Sequence, residues 1–221
     1  MNNKIKAVIT GDIVGSTLIT ADFKKVLHQI GDDIQQHQDE HFILDIYRGD
    51  SFQSISRQAN KALLVLLIIK AGLKRYSNKK GSKEVQWDAR MSLGIGVLED
   101  YPNGNNLSES SGEPFTISGR AFDKMKEKGT LIQIKTNDES INAELEAVVP
   151  LIEVITDRWT TAQADAVYRS LLLTEATQEE IGKILGKSQR VISKRLNLSK
   201  IDAIKPYLKR FEKQLKWMNL V

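Results

Sequence analysis

The chain has 221 residues, 41% of them hydrophobic and 27% charged, which suits one large or two modest soluble domains. The longest apolar run, Ala62 to Ile69, ends at Lys70 and Gly72, far short of the ~18 residues of a membrane span, so no membrane partner is expected. The absence of cysteine excludes disulfides and thiolate zinc sites and suits a reducing cytoplasm. The start, Met-Asn-Asn-Lys, runs straight into a strand-like pattern without a secretory leader, and the expected location is cytoplasmic. Charge is unevenly spread: residues 157–221 hold 13 Lys+Arg against 7 Asp+Glu, whereas the first 156 hold 19 against 21. A basic C-terminal third is what a polyanion-binding segment needs, and equally what a solvated Lys-rich helical surface shows.

Lys4 to Asp12 alternates apolar with polar residues up to a Gly-Asp turn, which predicts a strand. Ala21 to Gln38 predicts an amphipathic helix, with Phe23, Val26, Leu27, Ile30 and Ile34 on one face. Phe42–Arg48 and Asp50–Arg57 form two strands joined at Gly49, followed by a long apolar helix over Ala59–Tyr76. Val85–Leu98 reads as one strand, Glu99–Gly112 as a turn-rich loop, Ser118–Glu127 as a helix and Thr130–Thr136 as a strand. This β-α-β-β-α-β order is ferredoxin-like, and an α+β fold with helices covering the sheet is expected. After Asn137 the pattern is all helical, over about 138–157, 161–173, 177–185, 188–196 and 201–218. The expected domains are 1–157, α+β, and 158–221, all-α.

Thr177 to Leu196 (TQEEIGKILGKSQRVISKRL) carries a capping box in Thr177 and Glu180, an apolar stripe of Ile181, Ile184 and Leu185, and a small residue at Gly182. Gly186 supplies a tight turn and Ser188 a cap for a second helix, which would bury Val191, Ile192 and Leu196. Ser188, Gln189, Arg190, Ser193, Lys194 and Arg195 then remain on its early turns, as a recognition helix in a major groove requires. Gln pairs with adenine and Arg with guanine in that groove. The segment resembles the helix-turn-helix of bacterial regulators and sigma-factor-like domains, which implies double-stranded DNA as partner. A helical hairpin that pairs subunits or holds a protein is the plainer alternative. The following helix, with Lys205, Lys209, Arg210, Lys213 and Lys216, would pack behind the module, touch phosphates or pair with a second subunit.

In the first domain, Gly11–Thr17 (GDIVGST) follows the first strand, Gly49-Asp50 lies in the hairpin, and GEPFTISGR leads into a helix. The strand order brings the first two pieces side by side. Asp12 and Asp50 could clamp Mg²⁺ or Mn²⁺ against a nucleotide triphosphate. Backbone N–H groups around Ile13, Gly15, Ser16 and Thr17, entering a helix, could meet its phosphate oxygens. A lone Gly-Asp is otherwise most often a turn. His37 and His41 lack a metal-site pattern and read as surface residues, Trp87 and Trp159 as packing residues.

These pieces resemble the class III nucleotidyl cyclase domain, whose first motif reads "DIVGST" or "DIVGFT", over residues 5–130 or so. The resemblance implies metal-holding roles for Asp12 and Asp50, a matching strand at Arg90, Gly94 and Gly96, and a transition-state arginine at Arg120. It also implies a homodimer with each site shared between chains. Three family positions depart: the ribose-orienting asparagine falls on Thr116, the purine-reading lysine on Ile46 with no clear replacement in Arg48, and the partner acid loosely on Glu109. The whole chain looks like the SatD-type proteins, which join such a degenerate domain to a helix-turn-helix. The expectation is a DNA-binding transcriptional regulator with a nucleotide-sensing or dimerising domain and little cyclase activity. The alternatives are an active metal-dependent cyclase or nucleotidyl transferase and a protein–protein adaptor.

Overall fold

The computed structural model describes residues 4–80, 83–102, 107 and 109–218. Residues 1–3, and 103–106 and 108 of the expected loop, lie outside the described residues. The elements run β1 (Ile5–Ile13), α1 (Phe23–His37), β2 (Ile43–Arg48), β3 (Ser51–Ser56), α2 (Ala62–Lys74), β4 (Ser77–Lys80), β5 (Lys83–Gln86) and β6 (Ala89–Val97). Then come α3 (Glu113–Lys128), β7 (Ile132–Lys135), α4 (Glu139–Asp157), α5 (Thr161–Leu172), α6 (Gln178–Leu185), α7 (Gln189–Ser199) and α8 (Ile201–Met218).

The main sheet has the order β2-β3-β1-β6-β7, with only β6–β7 parallel. β1 sits at its centre because Ala7, Val8 and Ile9 give it apolar cover on both faces. On one face, Ile9, Ile13, Phe52 and Met91 join α1 and α2 in the main core. On the other, Val8 and Ile55 pack with Phe115 of α3. Gly94 of β6 is there because a Cβ would come within 2.4 Å of the Pro114 carbonyl and the Ser118 amide.

Three elements differ from the expectation. The strand predicted over Val85–Leu98 is broken at Trp87–Asp88 into β5 and β6, since Asp88 turns its carboxylate to two lysines of α2. β5 pairs with β4 in a separate hairpin that the sequence concealed, because SNKK has no apolar residue to mark a strand. That hairpin is held by Trp87, whose indole donates to Asn78 (2.8 Å) and stacks on Tyr76 (5.2 Å). α3 starts five residues earlier than predicted, at Glu113, since Pro114 is tolerated in a first helical turn.

The C-terminal helices do not stand apart from the sheet domain. Tyr168, Leu172, Ile192, Ile204 and Phe211 belong to the same apolar core as α1, α2 and the sheet, so burial runs across residue 157 without a break. Gly72 of α2 leaves room for the Tyr168 ring, which an added Cβ would meet at 2.8 Å. Tyr168 donates to Asp33 of α1 (2.6 Å), and Gln38 donates to the carbonyls of Leu171 and Leu172. Burial and the Asp33 acceptor push the Tyr168 phenol well above its usual range. Across the other side, Arg210 of α8 makes two 2.7 Å bonds to Glu144 of α4, which hold that carboxyl below the usual range.

At the centre of this junction lies Lys70, wholly buried, with its ammonium 3.0 Å from Asp88 Oδ1 and 3.0 Å from Asp157 Oδ1. Lys74, also buried, donates to Asp88 Oδ2 and to the Asp157 carbonyl, both at 3.2 Å. Removing one partner of a buried ion pair leaves the other charge without compensation, at a cost of about 3–5 kcal/mol. Lys70→Ala is therefore expected to lower the urea midpoint of the whole chain by a loss of that size. Asp157→Asn, which keeps a hydrogen-bond acceptor and whose side chain is partly exposed, should cost clearly less in the same titration.

Candidate functional site

Asp12 sits at the end of β1, opposite Ser51 of β3 and Arg90 of β6. The Ile13 N–H donates to the Asp50 carbonyl at 3.1 Å, so the two carboxylate-bearing residues are neighbours, as the strand order predicted. Asp50 Oδ2 accepts from the Ser16 hydroxyl at 2.5 Å. Asp12 Oδ2 lies 3.7 Å from Arg90 Nη1. Arg90 is thus both a counter-charge to Asp12 and a cation at the rim of the carboxylate pair.

Gly15 takes the left-handed conformation (φ 63°) and starts a short 3₁₀ turn over Ser16–Leu18. Gly15–Thr17 enter this single turn and not, as predicted, a longer helix. α1 begins only at Phe23, capped by Asp22, so no long helix dipole faces the carboxylates. Among the described residues the N–H groups of Gly15, Ser16 and Thr17 have no acceptor, whereas those of Ile13 and Val14 are taken by Asp50 and Asp88. Ile13 is buried in the helix-side core, so it contributes backbone only. The turn therefore offers three N–H groups without an acceptor among the described residues, beside two carboxylates and one guanidinium.

Ile46 lies opposite Phe52 and packs on the helix-side core, facing away from this site. Its neighbour Asp45 falls on the α3 side, beside Gln53, and accepts the Leu107 N–H at 2.8 Å. The side chain of Arg48 lies outside the described residues. Thr116 and Arg120 are exposed one turn apart on α3, and Glu109 is exposed on its loop. A row of polar side chains extends from Asp12 along the same face: Gln53 donates to Thr10 (3.3 Å), Thr10 and Ser118 share a hydrogen bond (3.0 Å), and Ser92 donates to the Ser118 carbonyl. No sequence motif marks this row. Its signal was the period-two polar alternation of Thr10 and Asp12, Ser51 and Gln53, and Arg90 and Ser92. Hard oxygen donors on two carboxylates suit Mg²⁺ or Mn²⁺ completed by phosphate oxygens. No group of three or more His, Cys, Asp or Glu gathers for a metal among the described residues.

In the C-terminal module, α6 opens on the Thr177–Glu180 capping box and ends at Gly186, left-handed at φ 60°. Gly182 lets the turn close, since a Cβ would come within 2.6 Å of the Lys187 carbonyl. Ile181, Ile192 and Leu196 are buried as predicted, but Val191 is 37% exposed and Ile184 51%. Ser188 occupies the cap position with extended backbone, yet its side chain makes no cap bond, contrary to expectation; its carbonyl accepts from Val191 and Ile192 instead. Gln189, Arg190 and Lys194 are exposed, Ser193 and Arg195 half-buried, and Gln189 is bonded to Gln178 of α6 at 3.1 Å. Behind them, Trp159 donates to the Ser199 carbonyl, and Arg210, Lys205 and Lys216 are held by Glu144, Asp202 and Glu212. Trp87 and Trp159 are buried packing residues, and His37 and His41 lie at the surface.

No family model matches the chain, and no curated protein matches it. Among solved structures it is similar to the active GGEEF domain of a diguanylate cyclase from Vibrio cholerae (TM-score 0.40, 14% identity, covering 61% of this chain and 84% of that one). It is also similar to the FimX GGDEF domain from Pseudomonas aeruginosa (0.41, 10%, 60% and 82%). A third is the GGDEF domain of DgcB from Caulobacter crescentus in complex with c-di-GMP (0.40, 14%, 60% and 77%). Among the described residues no helix is long and apolar enough to cross a membrane.

The crowding at Gly182 makes the union of the two halves measurable. Gly182→Val should force the turn apart and cost roughly 1–3 kcal/mol of overpacking. Because the core is shared, the expected result is a single thermal transition shifted down as a whole; two separate transitions would mean that the halves melt independently.

Proposed function

We propose that the chain is a DNA-binding regulator of the SatD type, in which the turn after β1 and the β2–β3 hairpin bind a nucleotide with a divalent cation. The observation that carries the nucleotide half is the adjacency of Asp12 and Asp50 beside three unbonded N–H groups. Asp12 and Asp50 would hold Mg²⁺ or Mn²⁺, which neutralises the phosphates, while the N–H groups of Gly15, Ser16 and Thr17 receive their oxygens. Arg90 sits where a further phosphate charge is welcome. The resemblance to cyclases supports Arg120 as a cation offered from a partner chain in a homodimer.

Turnover is a different demand from binding. Ile46 faces the wrong side of the sheet to read a purine, and Thr116 lacks the amide that orients a ribose. Loss of one donor aimed at transition-state charge typically costs ~10²–10³ in rate. The proposed site therefore binds and turns over little. The alternative is an active cyclase or transferase. Calorimetry with Mn²⁺ and ATP or GTP is expected to show binding that Asp12→Asn and Asp50→Asn each abolish, with no cyclic product by chromatography. Rapid product formation would replace this reading with the enzymatic one, and absence of any nucleotide binding would remove both.

The DNA half is favoured by a separate observation, the outward set of Gln189, Arg190 and Lys194 on the first turns of α7. A recognition helix uses such turns for base edges. Arg190→Ala is expected to cost about 1–3 kcal/mol of specific affinity. Lys209→Ala should mainly flatten the salt dependence, by about one unit of slope. If the purified chain fails to shift duplex fragments at low salt, its own promoter included, the regulator reading is wrong. Cytoplasmic location and a homodimer belong to the same proposal.

A further inference from the structure

Two glutamines tie α6 to α7 at the points where the helices begin. Gln178 is the first residue of α6 and Gln189 the first of α7, and Gln189 Nε2 donates to Gln178 Oε1 at 3.1 Å. The backbone beneath this bond is held by close packing. A Cβ on Gly182 would come within 2.6 Å of the Lys187 carbonyl oxygen and 3.5 Å of the Gln189 nitrogen, so α7 starts hard against α6. Gln178 is half-buried there and Gln189 is exposed.

A glutamine amide carries two N–H donors and one accepting oxygen. The bond to Gln178 uses one donor of Gln189. Its second N–H and its Oε1 have no partner among the described residues. A donor and an acceptor side by side on one planar group match the major-groove edge of adenine, which offers N7 as acceptor and the N6 amino group as donor. Guanine presents two acceptors on that edge, so its O6 would face the Gln189 oxygen. Free glutamine side chains lose much rotamer freedom when they are fixed. Ordering Gln189 before the partner arrives removes that cost from binding.

Charge decides the kind of partner. Between Glu180 and Asp202 the chain carries Lys183, Lys187, Arg190, Lys194, Arg195 and Lys200 and no acid. Of these, only Lys183 has a carboxylate partner among the described residues, Glu179 at 3.0 Å. Cations left unneutralised around an exposed base-reading group are what a phosphate backbone requires.

We infer that Gln178 is a positioning residue for DNA recognition: it holds Gln189 so that the second Nε2–H donates to N7, and Oε1 accepts from N6, of an adenine in the major groove. The inference deepens the DNA reading above and rests on it.

Selection with the full-length chain at low salt, from duplexes randomised over about two helical turns, is expected to enrich sites with a fixed adenine. On the enriched duplex, changing that adenine to guanine should weaken wild-type binding about 5- to 150-fold, the worth of one bidentate pair. Changing it to 7-deazaadenine, which lacks the N7 acceptor, should also weaken binding. Gln189→Ala should erase both penalties. Gln178→Met keeps the length but not the acceptor and should erase most of both, with no further loss in the double variant. Gln178→Glu keeps an acceptor and should retain the preference. All should fold with wild-type circular dichroism, since neither side chain belongs to the core. A Gln178→Met chain that keeps the full preference for adenine, or that is weakened equally on every duplex with the preference intact, would overturn the positioning role. A wild-type site without a fixed adenine, or a Gln189→Ala chain that still prefers adenine, would overturn the contact itself. In those outcomes the wild type still binds and the DNA reading stands; a wild type that enriches no site and shifts no duplex takes both down.

Discussion

The buried ammonium of Lys70 is the constraint around which the two halves of this molecule are arranged. An ammonium deprived of water is tolerable only where carboxylates surround it, and the fold brings two from distant parts of the chain, Asp88 before β6 and Asp157 at the end of α4. Breaking the long strand at Trp87–Asp88 is what frees Asp88 for this role. Ending α4 at Asp157 is what starts the C-terminal helices. Lys74 adds a second cation to Asp88 and bonds the Asp157 carbonyl, so the position from which α5 departs is fixed in space.

This cluster also touches the candidate site. The Asp88 carbonyl accepts the Val14 N–H at 2.9 Å, which places the turn carrying Gly15, Ser16 and Thr17 one residue from a backbone bond to the cluster. Tyr168, with Arg75 4.1 Å over its ring and its hydroxyl on Asp33, ties α5 to α1 and α2 a short way off. The C-terminal helices are therefore no appendage on a linker. They are built onto the same α1–α2 layer that backs the sheet.

Much of this was legible in the residues and some was not. Period-two and period-3.6 patterns located β1, α1, α2 and all five C-terminal helices, because each has one face rich in Ile, Leu or Val. Gly186 and the Thr177–Glu180 box marked the two ends of α6 for a local reason, as turn and cap chemistry acts within a few residues. The β4–β5 hairpin was hidden, since its stability comes from Trp87, Tyr76 and Asn78 meeting across space rather than from its own SNKK. The shared core was hidden too: charge and composition change at residue 157, but Gly72 facing Tyr168 is a fact of tertiary packing. For the site, the adjacency of Asp12 and Asp50 followed from strand order. Their partners Arg90 and Ser16 needed the register, and the turn at Gly15 stopped short of a helix.

The pairing of Asp12 with Arg90 sets how a bound cation could influence the rest. A divalent ion at Asp12 and Asp50 would compete with Arg90 for the first carboxylate and with the Ser16 hydroxyl for the second. Both contacts would have to rearrange for such an ion, and both flank the turn that hangs from Asp88 through Val14. A ligand shifts a conformational equilibrium only by its differential affinity for the two states. Here such a difference would arise wherever the turn adjusts, since displacing Val14 means pulling on the carbonyl of a residue whose side chain anchors Lys70. Lys70 bonds Asp88 on one side and Asp157 on the other, so a displacement of Asp88 would be felt at the end of α4, where α5 departs. From there the physical connection to α7 is the Trp159–Ser199 bond, which ties the start of α5 to the end of α7.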